Sequence, residues 1–514
     1  MTRTKKVFLY TVIIGILTHA FRMTNVMICT DTANYLNTIS PSWVTSLGRF
    51  LLPLIEKIRG TRELPWLIGV ICILLIGIAA ILIAELFDIK GTISLVLLAW
   101  ILVANPIVTS IFAYMYTADG YMIGLVFSVL AAFLCIRLSG IKGIICGAVA
   151  LFLSMGFYQA FLSVTMMLLW IWLVLLLMNP AKTMKKIGLT MLRFFAMGGL
   201  GAGMYLVVTK IVWKVGGYGT TSYMGMNEAG GSGLAGIMQA AIDCYVDFAR
   251  FFIVRWQVNA YNVMNVLLFL MVAVALILIV RKNHLYHKPE RLILLLGLLL
   301  CLPFAAHVFE FISDSVSYTS TSMEYSLCLI VLLPIILWGS LDFGEGEFFE
   351  WSTSLYWKRC FLWIMTAVLL LLISFNYSVI ANKAYYNMEN ANTKLENLLN
   401  RLETRMEMQA GYEETMEVAI IGSCYQIPEY VDCAPMMSGV VSNIFLSSPQ
   451  EYVCVMNWKL STAYGVAPEA RMRELVQTEE FAGMKHWPDE DSVRIIDGTM
   501  VLYLSDNGLD NLYQ

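Results

Sequence analysis

The chain has 514 residues, 59% of them hydrophobic and 14% charged, against roughly 25% charged in ordinary soluble domains, so most of it cannot face water. A net charge of -3 lacks the basic excess that a phosphate backbone demands, which excludes nucleic acid as a partner. The eleven cysteines are scattered, with no C-x-x-C pair and no His/Cys cluster at zinc-ligand spacing, so no metal site is expected.

A membrane span needs roughly 17 to 25 mainly apolar residues. Such runs cover about 7–22, 64–87, 92–113, 120–138, 142–157, 159–179, 187–213, 258–280, 292–309, 323–341 and 360–380. The expected fold is an α-helical polytopic membrane protein of about eleven transmembrane helices, with a small C-terminal extracytoplasmic α/β domain. The first run follows Arg3, Lys5 and Lys6 like a signal peptide, but no small-x-small cleavage site follows it, so it reads as an uncleaved span. Only Tyr158-Gln159 divides the fifth run from the sixth. Alternate connections carry Arg3/Lys5/Lys6, Lys90, Arg137/Lys142, Lys182/Lys185/Lys186, Arg281/Lys282/Lys288/Arg291 and Lys358/Arg359. The opposite short loops around Tyr116, Tyr158 and Ser313 carry none. The positive-inside rule then puts the N-terminus in the cytoplasm and, with an odd number of spans, the C-terminal domain outside.

Two outer loops are long. The first, residues 23–63, contains Trp43 to Arg59, which places Leu47, Leu51, Leu54, Ile55 and Ile58 on one helical face with Arg49, Glu56, Lys57 and Arg59 elsewhere. That pattern suits a helix lying in the membrane interface. The second, residues 214–257, holds Gly216, Gly217, Gly219, Gly225, Gly230, Gly231, Gly233 and Gly236; a flexible lid and a plain connector fit it equally.

Residues 1–381 thus form the transmembrane part and 382–514 a soluble domain of ordinary composition. The latter opens with Tyr385, Met388, Leu395, Leu399, Leu402 and Met406 at helical spacing. A short buried strand is expected at Glu417–Ser423, and Asp497-Gly498 between two apolar runs signals a hairpin. Cys424, Cys433 and Cys454 leave room for one disulfide without indicating it.

Carboxylates at the outer edge of a membrane are costly unless paired or functional. On that side stand Asp31, Asp119, Glu310, Asp314 and Glu324, with Asp243 and Asp247 in the Gly-rich loop. Asp31 lies about one turn past the first span, and Asp119 opens the fourth amid Tyr114, Tyr116 and Tyr121. Two carboxylates at one depth among aromatic rings suit a cavity for sugar hydroxyls; each alone also suits helix capping. Arg250 and Arg255 precede the eighth span, where they suit either bidentate phosphate binding or interfacial anchoring. Glu310, Asp314 and Glu324 frame a Ser/Thr/Tyr-rich loop that reads as a polar cavity wall or as a solvated connector. There is no Gly-rich phosphate loop with Lys, which argues against ATP-driven transport.

The order of parts is a short first span, a long loop with an early Asp, and an interfacial helix carrying Ser46-Leu-Gly-Arg-Phe. Leu64-Pro-Trp, Asn105-Pro106, Tyr114-Met-Tyr-Thr-Ala-Asp-Gly-Tyr and the closing Ser492-Val-Arg-Ile-Ile-Asp-Gly-Thr follow. This layout resembles the Gtr-type bacterial membrane glucosyltransferases that modify surface polysaccharides, a branch of the GT-C class. The resemblance spans nearly the whole chain in layout, on short and degenerate motifs. It implies a polyprenyl-phosphate sugar donor, an envelope polysaccharide acceptor, transfer at the outer leaflet, and no cofactor, the lipid-linked donor being a substrate. It also implies a catalytic carboxylate in the first outer loop, matched here by Asp31, acting as general base with inversion. Asp119 and Tyr116 would orient a sugar, Arg49, Arg250 or Arg255 would meet the leaving phosphate, and Glu310 and Glu324 would line the substrate cavity. The rival readings are a mannosyl- or arabinosyl-type transferase using similar donor chemistry, a lipid-linked sugar flippase or polysaccharide transporter, and an envelope scaffold.

Overall fold

The computed structural model describes the chain outside residues 1, 30–40, 61–62, 220–232, 257, 309–323, 341–352, 425–436, 438–439, 441–445, 447, 508 and 510–514. Among the described residues, nine helices are long and apolar enough to cross a membrane. They are Arg3–Thr24, Pro65–Leu86, Thr92–Ala113, Met115–Arg137, Gly140–Phe157, Gln159–Met178, Met184–Gly216, Tyr261–Lys282 and the apolar part of Phe361–Glu407. The remaining two apolar runs form shorter pieces. Pro289–Leu300 is followed by Leu302–Ala306, where Pro303 removes a backbone donor. Tyr325–Ile330 is followed by Leu333–Ser340, again around a proline, Pro334.

The chain divides into two compact units, one of Met1–Asn25, Ser40–Ala384 and Asp432–Ser438, the other of Val26–Ile39, Tyr385–Val431 and Gly439–Gln514. One helix, Thr353–Glu407, supplies both. It runs 55 residues because no Gly or Pro interrupts it.

Within the first unit, polar residues gather at the two ends of the helix bundle. At one end Arg3 pairs with Glu85 and Asp88, Lys90 pairs with Asp88, and Arg137 donates to the Glu85 carbonyl. These are cations of the basic loops. At the other end the first long loop folds against the helix starts. In the third span Asn105 breaks the helix and repairs the break itself. Its Oδ1 accepts from the Ile107 and Val108 amides at 3.1 Å, and its Nδ2 donates to the Ile101 and Leu102 carbonyls at 3.0 and 2.9 Å. No backbone group is stranded by the following proline.

The second unit holds a four-stranded sheet in the order β2-β1-β4-β3, with β1 Glu417–Ile421, β2 Gly465–Val466, β3 Val493–Ile496 and β4 Thr499–Tyr503. β1 runs parallel to β2 and β4, while β3 and β4 form an antiparallel hairpin. Its turn is Asp497-Gly498, both at positive φ, as a tight hairpin requires. Alternation along the strands gives two apolar layers. Val418, Ile420, Met500 and Leu502 pack with Leu395, Leu399, Leu402, Tyr452 and Met456, while Ala419, Ile421 and Val501 pack with Met472, Leu475 and Phe481. At the end of β1, Gly422 sits at φ 75°, where a Cβ would lie 2.1 Å from the Ser505 carbonyl oxygen. Cys424 and Cys454 are free thiols, and Cys433 lies outside the described residues.

Candidate functional site

The loop after the first span explains the polar end of the bundle. The expected continuous helix from Trp43 to Arg59 is two helices, Pro41–Ser46 and Leu52–Arg59, broken at Gly48 with φ 80°. A glycine is required there: a Cβ would lie 2.3 Å from the Tyr205 hydroxyl and 2.8 Å from Gln159 Nε2. The break is held by side chains from two helices, Gln159–Met178 and Met184–Gly216. Gln159 donates to the Leu47 carbonyl and lies 2.9 Å from the Tyr205 hydroxyl. Tyr205 reaches the Gly48 carbonyl at 3.3 Å, and the Trp213 indole donates to the Thr45 carbonyl at 2.8 Å. The polar interruption that divides the fifth run from the sixth therefore anchors the first loop.

The second of these helices is amphipathic in an inverted sense. Leu54 and Ile58 are exposed, whereas Glu56 is buried and the Arg59 side chain points inward. Exposed apolar residues suit lipid, as Leu54 and Ile58 do here, while Glu56 and Arg59 turn toward the bundle and Lys57 stays exposed. Leu52 packs over Gly120, where a Cβ would lie 2.2 Å from Leu52 Cδ1. That close approach, allowed by a missing side chain, brings Arg59 to Asp119: Arg59 Nε lies 2.7 Å from Asp119 Oδ2, with both side chains buried. Arg59 also donates to the Tyr116 carbonyl, and Asp119 Oδ1 accepts from the Gly120 amide at 3.0 Å. Glu56, one turn before Arg59, has a buried Oε1 without a hydrogen-bond partner among the described residues. Burial pushes its carboxyl up to about 7, Arg59 opposing and Asp119 reinforcing the rise. Arg22, at the end of the first span, donates to the Phe112 carbonyl at 2.9 Å and faces Glu63 at 3.5 Å, both fully buried.

Arg49 stands beside this cluster. Its Nη1 donates to the Tyr121 hydroxyl at 2.8 Å, and its guanidinium lies over the Tyr158 ring at 4.9 Å. Tyr121 and Tyr158 stack with centroids 4.2 Å apart. The guanidinium is thus oriented by a rigid aromatic pair.

A second polar cluster forms farther along. Residues 220–232 of the Gly-rich loop lie outside the described residues, while its later part is not a connector: Gly233–Ala249 is a helix, followed by a π-turn at Arg250–Val254. The glycines thin out after Gly236, and Ile237, Met238, Ala241, Ile242, Tyr245 and Val246 carry a helical stripe that the glycine count obscured. Its inner face presents Cys244 and Asp247. Arg255 pairs with Glu324, both buried, and Arg250 is exposed. Asp247 Oδ1 is buried without a hydrogen-bond partner among the described residues, and burial with the nearby Glu324 charge lifts the carboxyl to about 7. His307 accompanies them, its Nδ1 3.1 Å from the Pro303 carbonyl oxygen.

Of the residues expected from sequence, Asp119, Tyr116 and Arg49 come together at the first loop, and Arg250, Arg255 and Glu324 at the second cluster. Asp31, Glu310 and Asp314 lie outside the described residues. Sequence reasoning did not select Arg22, Glu56, Arg59, Glu63 or His307. For Arg59 and Glu56 a signal existed in their i, i+3 spacing on a short helix, but the loop's apolar residues dominated the pattern.

A family model described as Glucosyl transferase GtrII matches residues 20–312, more than half of the chain and all of the first-loop cluster. A search of curated proteins finds no match.

Proposed function

The chain belongs to the GtrII glucosyl transferase family and is a membrane glycosyltransferase, and from that premise we propose that it moves glucose from a polyprenyl-phosphate donor to an envelope polysaccharide on the outer face of the membrane. The observation that carries the reading is the buried Arg59–Asp119 pair beside Glu56, at the bundle end opposite the basic loops. Burying charges is expensive, and an ion pair with a protonatable neighbour at the mouth of a bundle suits a site built for a polar substrate.

In the proposed reaction Asp31 removes the proton from the acceptor hydroxyl as that oxygen attacks the anomeric carbon. The bond from the anomeric carbon to the donor phosphate breaks, and its electron pair leaves with polyprenyl phosphate. A single displacement inverts the configuration. Arg49, fixed by Tyr121 and Tyr158, and the exposed Arg250 meet the charge that develops on the phosphate. Arg255, held by Glu324, positions the segment that carries Arg250. Asp119 and Tyr116 orient the sugar through the first loop, and Glu310 and Glu324 line the cavity. The donor requires no metal or cofactor for this step as written.

The test is direct. Purified protein in lipid, given polyprenyl-phosphate glucose and an envelope polysaccharide fraction, should transfer labelled glucose to the polymer. A protein that transfers no sugar from any polyprenyl-phosphate donor overturns the proposal.

A further inference from the structure

The second unit has no assigned role, and its cations show an uneven pattern. Five of the eight described Lys and Arg from Tyr385 onward are ion-paired. Lys459 pairs with Glu396, Arg471 with Glu474 and Asp497, Arg473 with Glu469, Lys485 with Asp489, and Arg494 with Asp491. Arg405 is spent on the 488–492 loop, donating to the carbonyls of Pro488 and Asp489 and to Ser492 Oγ. Lys394 and Arg401 are the exceptions: neither has a carboxylate or hydrogen-bond partner among the described residues, and both line one cavity of about 420 Å³.

The rest of that cavity mixes polar groups, Asn390, Thr393 and Asn397, with Leu398, Cys424 and Trp487. Asn390, Thr393, Lys394, Asn397 and Arg401 recur at helical spacing, so one face of the helix points into it while Leu395, Leu399 and Leu402 serve the core behind. Trp487 also lines it. Arg401 and Arg405 lie over its ring at 4.8 and 4.4 Å, and Arg405 pins its loop, so the indole is fixed in place. Among the described residues, no Asp or Glu lines the cavity. Two side-chain amides and a hydroxyl match vicinal sugar hydroxyls, and two cations without a carboxylate partner among the described residues match an anionic substituent. The volume lies in the range of small-molecule sites.

We propose that this cavity binds an anionic saccharide, a sugar unit carrying a carboxylate or phosphate, and thereby holds the acceptor polymer. The binding stands on the cavity alone; its meaning as acceptor capture rests on the transferase reading.

Binding and transfer are therefore measured separately on the full chain in neutral-lipid nanodiscs. Trigalacturonate is the anionic probe, maltotriose the neutral one, and vesicles with anionic lipid the competing surface. The expected result is trigalacturonate binding that weakens with salt, at least about tenfold tighter than maltotriose, and lost by about tenfold or more in Lys394→Gln/Arg401→Gln. Lys485→Gln, on a paired and exposed cation, should bind like the parent chain, and so should Asp31→Asn, which tests transfer and not this site. Equal binding by the parent and the double variant overturns the proposal. So does equal affinity for the two trisaccharides, or a double variant that loses only vesicle binding.

Discussion

Replacing Arg59 by Met strands Asp119 in a buried site, where it keeps only the Gly120 amide at 3.0 Å. Removing one partner of a buried ion pair costs about 3–5 kcal/mol, because the remaining charge is uncompensated. The Tyr116 carbonyl also loses its donor, adding about 1 kcal/mol. Asp119→Leu alone removes the carboxylate from the guanidinium, which keeps the Tyr116 and Gly60 carbonyls, so it should cost less than Arg59→Met. The double variant Arg59→Met/Asp119→Leu strands neither charge, so it should recover about 2–4 kcal/mol relative to the sum of the single changes. Reversible unfolding in mixed micelles, read by helical circular dichroism, gives the four free energies of the cycle. A coupling within about 0.5 kcal/mol of zero would refute the claim that this pair organises the polar end of the bundle.

Gly48→Ala should impair both stability and transfer. At φ 80° with a Cβ 2.3 Å from the Tyr205 hydroxyl, it should cost at least about 1–2 kcal/mol from the backbone alone, visible as a lowered unfolding midpoint. Gly48→Asn, which tolerates left-handed backbone better, should lose less of the backbone component. For Glu56, burial lifts the carboxyl from 4.5 to about 7. The folded chain therefore holds a proton that the unfolded chain has released between those values, and stability falls as pH rises through that window. Glu56→Gln should flatten this fall, by on the order of 2 kcal/mol between pH 5 and pH 8. Parallel pH profiles for the two proteins would contradict the assignment.

The membrane helices were legible because length and apolar content decide them with little competition. The Asp497-Gly498 turn was legible because its residues act on their own backbone, whereas the break at Asn105 inside the run 92–113 was not predicted. The inverted helix at Leu52–Arg59 was not. Its apolar residues mark the surface in a membrane and the core in water, so periodicity gives the stripe but not which face turns inward. Gly120 and Gly48 resolve it, through contacts with Leu52 and Tyr205 that lie far away in sequence. The helix at Gly233–Ala249 was hidden for a different reason: a glycine-rich lead-in lowered the apparent helical propensity of a segment stabilised by its packing against Leu302–Ala306. The unpaired cations of the second unit also escaped the sequence, since only the pairing of their neighbours makes Lys394 and Arg401 conspicuous.

The central claim is transfer from a polyprenyl-phosphate sugar with Asp31 as the base. Its most direct measurement is the initial rate of glucose transfer from polyprenyl-phosphate glucose to envelope polysaccharide by the parent chain and by Asp31→Asn, in the same lipid and at matched folded protein. Loss of the base predicts a fall of about 10²–10⁴-fold in rate with donor binding retained. An Asp31→Asn protein that transfers glucose at the parent rate would contradict it.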